Sequence, residues 1–294
     1  MTKSDSQFLF SIIVPCYNEE EAIAGTIQEL HEAVPETETY EIIVVNDGST
    51  DDTKRILDQI AGDYTNLHIV VHAKNRGYGA ALKTGIRRAK AEIIVITDAD
   101  GTYPNERIPE LVHACREYDM VVGARTAEGV VHSKLRAIPK IFLRVWASWI
   151  AGQNIPDINS GLRVFRKSVV EKFLGILPDS FSFTLTITLA LLTNYRPVYY
   201  IPITYHHRTG SSKIKPVRDT VRFINLILRT GIYFAPLRVL GPFIIILGLL
   251  AMGSLAHDIF ILQNLTDKTT MLFLFTFNTG MFALLADMID KRIG

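Results

Sequence analysis

Two carboxylates two positions apart, Asp98 and Asp100 in the run Ile96-Thr97-Asp98-Ala99-Asp100-Gly101, are the residues of this 294-residue chain best placed to do chemistry. The segment before them, Glu92 to Thr97, has the continuous apolar, β-branched character of a buried strand. Side chains along a strand alternate faces, so residues i and i+2 project the same way. Two acids at that spacing, where a strand opens into a loop, make an oxygen-rich corner for Mg²⁺ or Mn²⁺. Such ions take one or two carboxylates together with diphosphate oxygens and water. Asp-x-Asp is also ordinary turn chemistry, so its meaning depends on its surroundings.

The elements that would position this corner alternate. Strands are expected at Phe10–Pro15, Glu41–Val45, His68–His72, Glu92–Thr97 and Met120–Gly123, with amphipathic helices at Glu20–Val34, Asp51–Ala61, Gly79–Ala89 and Asn105–Glu117 between them. That order implies βαβ units, a mostly parallel sheet flanked by helices, and ligand-binding loops at the carboxyl ends of the strands. Pro15-Cys16-Tyr17-Asn18-Glu19, Asn46-Asp47-Gly48-Ser49 and Asp98-Ala99-Asp100-Gly101 all fall at that edge. The less regular stretch that follows is read as a helix near Lys140–Ala151, a strand near Gly161–Phe165, a helix near Thr184–Thr193 and a strand at Val198–Ile201.

Formal net charge is +1, which gives no global field for nucleic acid. Cys16 and Cys115 make neither a disulfide framework nor a metal-ligand spacing, and buried thiols are expected. The apolar stretch Phe8–Val14 is too short, and lacks the basic lead, for a signal peptide. Charge is uneven near the C-terminus, where seven basic residues between Arg208 and Arg238 face one acid, Asp219. Val217, Val221, Ile224, Leu228 and Ile232 make a helical apolar stripe with Arg218, Arg222 and Arg229 on another face, as in a helix lying on lipid headgroups.

Val239–Leu262 holds a single acid, Asp258, and Thr270–Ala286 holds no charge. Since about 20 apolar residues cross a hydrocarbon core, these read as two transmembrane helices joined at Gln263–Thr269. Arginines before the first and Lys291-Arg292 after the second put both ends in the cytoplasm. The chain divides accordingly into a cytosolic catalytic domain (1–213), a juxtamembrane amphipathic helix (214–236) and a two-helix membrane domain (237–294). The sequence leaves the oligomeric state open; Asn278 or Gly280 could contribute where copies associate through their spans as a homo-oligomer.

The three edge motifs resemble the signature of glycosyltransferase family 2, which has the GT-A fold. Gly123-Ala-Arg125, Asn159-Ser160-Gly161-Leu-Arg163 and His207-Arg208-Thr-Gly210-Ser-Ser212-Lys213 resemble the polyprenyl-phosphate branch, which includes dolichyl-phosphate mannose and glucose synthases. The likeness runs from about Phe10 to Lys213. It implies transfer of one hexose from a UDP- or GDP-sugar to polyprenyl phosphate, with Asp98 and Asp100 as catalytic metal ligands and Mg²⁺ or Mn²⁺ as cofactor. It further implies that Pro15, Tyr17, Glu19, Asp47 and Ala99 line the donor site beside those aspartates. Arg125, Arg136, Arg208 and Lys213 would bind donor diphosphate or acceptor phosphate, guanidinium matching two phosphate oxygens at once, with Arg125 counted among the catalytic residues. Lys140 stands four residues after Arg136, where relatives often place a serine; it departs from the pattern and is counted in the acceptor set as a cation able to meet a phosphate. Lys83, one turn into the helix after Gly77-Tyr-Gly79, is a further donor contact.

The acceptor can be argued from an absence. A hydroxyl acceptor needs a carboxylate base near the anomeric carbon, whereas a phosphate monoester has a second pKa of about 6 and is nucleophilic at neutral pH. Where polymer-forming relatives carry an acidic pair, this chain reads Phe181-Ser-Phe183-Thr184, and no acid follows until Asp219. Asp157 and Asp179 remain as bases, so a hydroxyl-glycosylating polysaccharide or glycolipid synthase is the alternative. A non-catalytic scaffold is argued against by the intact Asp-x-Asp, and a dehydrogenase by the missing third glycine after Gly77-Tyr-Gly79.

Overall fold

The computed structural model describes residues 9–35, 38–126, 137–205 and 228–293, the side chains of 137–143 and 290–293 excepted. Seven strands form one sheet: β1 (Phe10–Cys16), β2 (Tyr40–Asn46), β3 (Leu67–Val71), β4 (Ile93–Ile96), β5 (Met120–Ala124), β6 (Arg163–Arg166) and β7 (Val198–Pro202), in the order β3-β2-β1-β4-β6-β5-β7. β1, β2, β3 and β4 are parallel, as βαβ alternation requires, and β5 is parallel to β7. β6 runs antiparallel to both β4 and β5. The mostly parallel α/β expectation holds, and the reversed strand is what the alternation alone did not reveal.

Alternation along β1 divides the core. Phe10, Ile12 and Val14 face one side with Ile23, Ile27 and Leu30 of α1 (Ile23–Ala33) and Ile108 and Leu111 of α4 (Ile108–Ala114). α2 (Thr53–Ile60) adds Leu57 to that layer. Ile13 faces the other side with Leu82 and Ile86 of α3 (Tyr78–Arg88). Both faces are covered, which is why these strands read as continuous apolar runs.

Two helices of the second half complete the domain. α5 (Ala137–Ala151) and α7 (Phe183–Thr193) pack through Ala147, Ile150, Leu185 and Leu189. A short helix, α6 (Lys167–Glu171), follows β6 directly; five residues are too few to show helical periodicity in sequence.

The chain is helical again over 228–234 (α8) and then over α9 (Pro236–His257) and α10 (Asp267–Ile293). Together with a π-type turn at Asp258–Leu262, α9 makes one apolar helix of 27 residues; both it and Asp267–Ile289 are long and apolar enough to cross a bilayer. The acid in the first span is fully buried. Its carboxylate accepts bonds from Thr266 N–H at 2.8 Å, Thr266 Oγ1 at 2.7 Å and Thr269 Oγ1 at 2.7 Å, at the start of α10. An anion at a helix N-terminus is favourable, and here it closes the hairpin. The juxtamembrane expectation falls largely on residues outside the described ones, as does the boundary between 213 and 214.

Candidate active site

Sheet order explains why distant sequence motifs meet. The chain turns toward β2 and β3 on one side of β1 and toward β4 on the other, which opens a crevice at the carboxyl ends of β1 and β4. Because β6 is reversed, its first residue, Arg163, pairs with Ile96 at the end of β4 and with Val122 two residues before the end of β5. Residues 157–162 therefore arrive at the same edge as Asp98 and Arg125.

Asp98 is half-buried and Asp100 only 9% exposed. Tyr78 Oη donates to Asp98 Oδ1 at 3.0 Å, and Thr102 Oγ1 donates to Asp100 Oδ1 at 2.6 Å. Between the acids, the Ala99 carbonyl accepts Thr26 Oγ1 from α1 at 3.0 Å. Gly161 lies directly on the Asp98 carboxylate: a Cβ there would stand 2.7 Å from Oδ2 and 2.9 Å from Oδ1. The Gly161 N–H donates to Tyr103 Oη at 2.6 Å, which fixes that glycine from behind. Desolvation, and then the charge of Asp98, pushes the phenols of Tyr78 and Tyr103 well above their usual range. Both remain neutral beside the acids.

Arg125, just after β5, forms a fork on Asp157, with Nε to Oδ2 at 2.7 Å and Nη2 to Oδ1 at 2.9 Å. Its guanidinium carbon lies 5.2 Å from the Tyr205 ring centroid, a cation–π arrangement. Burial alone would lower the Arg125 pKa, but the bonds it donates to Asp157 outweigh that and raise the value. Burial alone would likewise raise Asp157, yet Arg125 holds it down at about 2. Asp157 thus stays ionised and committed to the arginine, a poor general base.

Behind this pair lies the fully buried Arg163. It donates to the Ser160 carbonyl at 2.7 Å, the Ile158 carbonyl at 3.0 Å and Thr188 Oγ1 at 2.6 Å. These bonds replace the water a buried guanidinium has lost, and they clamp the stretch that carries both Asp157 and Gly161.

On the other side of the crevice, Pro15 is buried within β1 and Tyr17 is 37% exposed. Asn18 has φ +56° and receives the Thr50 N–H at 2.8 Å; the Glu19 N–H reaches Thr53 Oγ1 at 3.0 Å. Asp47 is 3% exposed. It accepts the N–H groups of Arg76 at 3.0 Å and Gly77 at 2.7 Å and meets His72 Nδ1 at 2.6 Å. In this structure Asp47 anchors the loop before α3. Lys83 Nζ pairs with Asp179 at 2.7 Å, and Phe181, 74% exposed, stacks on Tyr78 with centroids 5.2 Å apart.

The structure thus places Asp98, Ala99 and Asp100 after β4 and Arg125 after β5, the two strands that flank β6, with Pro15, Tyr17, Glu19, Asp47 and Lys83 on the β1, β2 and α3 side. Arg136, Arg208, Lys213 and the Lys140 side chain lie outside the described residues. Arg238, counted in the basic excess, donates instead to the Ile150 carbonyl at the end of α5. Tyr78 and Tyr103 were not among the expected site residues, Arg163 stood only within the Asn159-to-Arg163 motif without a role, and Asp157 was weighed only as a base. An arginine inside the apolar run Leu162-Arg163-Val-Phe was the available signal of a buried, fully bonded cation.

Two carboxylates, with no group of three or more His, Cys, Asp or Glu among the described residues, do not make a closed protein cage for a metal. They fit an Mg²⁺ or Mn²⁺ completed by diphosphate oxygens and water.

Residues 11–174 match the family model described as glycosyl transferase family 2. An undecaprenyl-phosphate 4-deoxy-4-formamido-L-arabinose transferase of Yersinia pestis (strain Pestoides F) is 33% identical over 239 residues, 79% of this chain and 69% of that protein. In structure, the chain is similar to glucosyl-3-phosphoglycerate synthase from Mycobacterium tuberculosis, crystallised with Mn²⁺, UDP and phosphoglyceric acid. The TM-score is 0.59 at 17% identity, covering 78% of this chain and 80% of that one. It is also similar to S. aureus TarS in complex with UDP-GlcNAc, at TM-score 0.55 and 20% identity over 77% of this chain and 67% of the other.

Proposed function

The chain belongs to glycosyl transferase family 2, and on that premise we propose that it transfers one hexose from a UDP- or GDP-sugar to polyprenyl phosphate at the cytoplasmic face of a membrane. The observation that carries this reading is the state of the two spare carboxylates. Asp157 is locked to Arg125 and held at about 2, and Asp179 is paired with Lys83. The stretch from Phe181 to Thr184 offers no acid in their place. Of the described carboxylates weighed as bases, neither is left uncommitted for a hydroxyl nucleophile, whereas a phosphate oxygen needs none. The name of the Yersinia relative, an undecaprenyl-phosphate transferase, supports the same acceptor.

In this reading an acceptor phosphate oxygen attacks the anomeric carbon from the face opposite the nucleotide. The bond from that carbon to the diphosphate oxygen breaks, its electron pair leaves with the nucleoside diphosphate, and the anomeric centre inverts. Asp98 and Asp100 would hold the divalent cation, which is the charge that offsets the departing diphosphate. The Mn²⁺ and UDP of the M. tuberculosis neighbour favour such an ion. Pro15, Tyr17, Glu19, Asp47, Lys83 and Ala99 bind the donor, and Arg125, Arg136, Lys140, Arg208 and Lys213 bind the acceptor phosphate. Arg125 remains cationic throughout, because Asp157 keeps its pKa above the ordinary arginine value despite burial.

The chain works as a catalytic domain (1–213), a juxtamembrane helix (214–236) and a membrane hairpin (237–294) with both ends cytoplasmic. Association of copies would use the second span. The test is a panel of radiolabelled nucleotide sugars incubated with membranes containing the protein and polyprenyl phosphate, with and without chelator. Lipid-extractable label from one donor, lost on chelation, supports the reading; label only in hydroxyl-linked polymer transfers it to the alternative synthase.

A further inference from the structure

The first span is fastened to the catalytic domain at two helix ends that lead back to the site. α5 ends at Ala151 and is followed by Gly152 at φ +75°, the left-handed position that closes many helices. Its last carbonyls have no partner within the helix. Arg238, in the first turn of α9, supplies one: Nη1 donates to the Ile150 carbonyl at 2.7 Å. The guanidinium lies over Gly152 so closely that a Cβ there would stand 2.6 Å from Nη1. A cation at a helix C-terminus is also favoured by the helix dipole.

A second observation, independent of charge, joins the same parts. Val239 is 3% exposed and belongs to the apolar cluster of α5 and α7. α8 crosses so near that a Cβ on Gly231 would meet Ile150 and Val239 at 2.8 Å each. α7 begins just after the loop whose Phe181 stacks on Tyr78, the residue that bonds Asp98.

We propose that Arg238, with Val239 behind it, is a positioning residue that fixes the height and tilt of the catalytic crevice above the bilayer, so that a phosphate at the headgroup level meets the anomeric carbon. A membrane-borne acceptor cannot move to the site along the bilayer normal. A loose joint would therefore spread the crevice over many heights and lower the effective concentration of acceptor phosphate. A water-soluble acceptor diffuses in at any height and does not sense the joint. This rests on the polyprenyl-phosphate reading.

The test uses the full chain in vesicles, with undecaprenyl phosphate in the bilayer or a soluble two-isoprene phosphate in the buffer, and the donor identified by the panel above. Arg238→Met and Val239→Ala are each expected to lower kcat/KM for the bilayer acceptor about threefold, and together about tenfold. With the soluble acceptor each should stay within about twofold of the parent chain. Arg238→Lys, which keeps a cation at the helix end, should recover most of the loss. An equal fall with both acceptors, or no fall with either, overturns the proposal. Should the double variant fail to fold, the single variants decide by the same ratio. If the parent chain glycosylates neither phosphate, the failure belongs to the functional reading and not to the joint.

Discussion

Replacing Gly161 by Ala should injure catalysis without unfolding the protein. The added Cβ would stand 2.7 Å from Asp98 Oδ2, whereas ordinary van der Waals contact begins near 3.4 Å, so the carboxylate must retreat by about 0.7 Å. It cannot do so freely, because Tyr78 holds its other oxygen at 3.0 Å and Gly161 is held by Tyr103 at 2.6 Å. Metal–oxygen distances for Mg²⁺ tolerate only a few tenths of an ångström, and a misplacement near 1 Å can cost on the order of a hundredfold. kcat/KM should therefore fall about 10- to 100-fold, or ~1.4–2.7 kcal/mol of transition-state stabilisation. Half-saturation by Mn²⁺ should move to higher concentration. The assay is initial rate against Mn²⁺ at fixed donor and acceptor, with a thermal melt beside it. A variant within twofold of the parent at every Mn²⁺ concentration would refute the reasoning that this glycine sets the position of Asp98.

Asp157→Asn should raise the acceptor KM about tenfold or more and destabilise the fold by about 1–3 kcal/mol, less than a fully buried pair because the Arg125 side chain is 24% exposed. Since the folded Asp157 sits at about 2, below its ordinary 3.8, its contribution is complete above about pH 4 and disappears as pH falls toward 2. Denaturant unfolding at a series of pH values should accordingly show the parent and this variant converging only below pH 4. Asp179→Asn should leave kcat within about threefold, whereas loss of a true base costs about 10²–10⁴; a fall of that size in initial rate would revive the hydroxyl-acceptor alternative. Tyr78→Phe removes one bond to Asp98 and should lower kcat about fivefold, near 1 kcal/mol, with the Mn²⁺ requirement raised in the same titration.

Much of this architecture was legible because its physics is local. The apolar runs at Phe10–Cys16 and Tyr40–Asn46 are buried on both faces, so composition alone marks them as strands. The turn that carries Asp98 and Asp100 at the end of β4 was placed by the apolar run before it, and both long apolar helices followed from length. What stayed hidden depends on pairing between distant segments. Nothing in Arg163–Arg166 announces an antiparallel strand between β4 and β5, yet that reversal carries Asp157 to Arg125 and Gly161 to Asp98. Asp47, expected at the nucleotide base, also bonds Arg76, Gly77 and His72, an anchoring of residues 25 to 30 positions on that no local pattern shows. Arg238 looked like one more lipid-facing cation until the end of α5 was seen beneath it.

On the proposed reaction a phosphate, and not a hydroxyl, receives the sugar. The purified protein in vesicles with its donor and Mn²⁺ should be offered undecaprenyl phosphate in one reaction and the matched undecaprenol in another, with products read by mass spectrometry. Sugar joined through a single phosphate, from the first reaction only, is the result expected. Sugar transferred equally well to the alcohol would contradict the account.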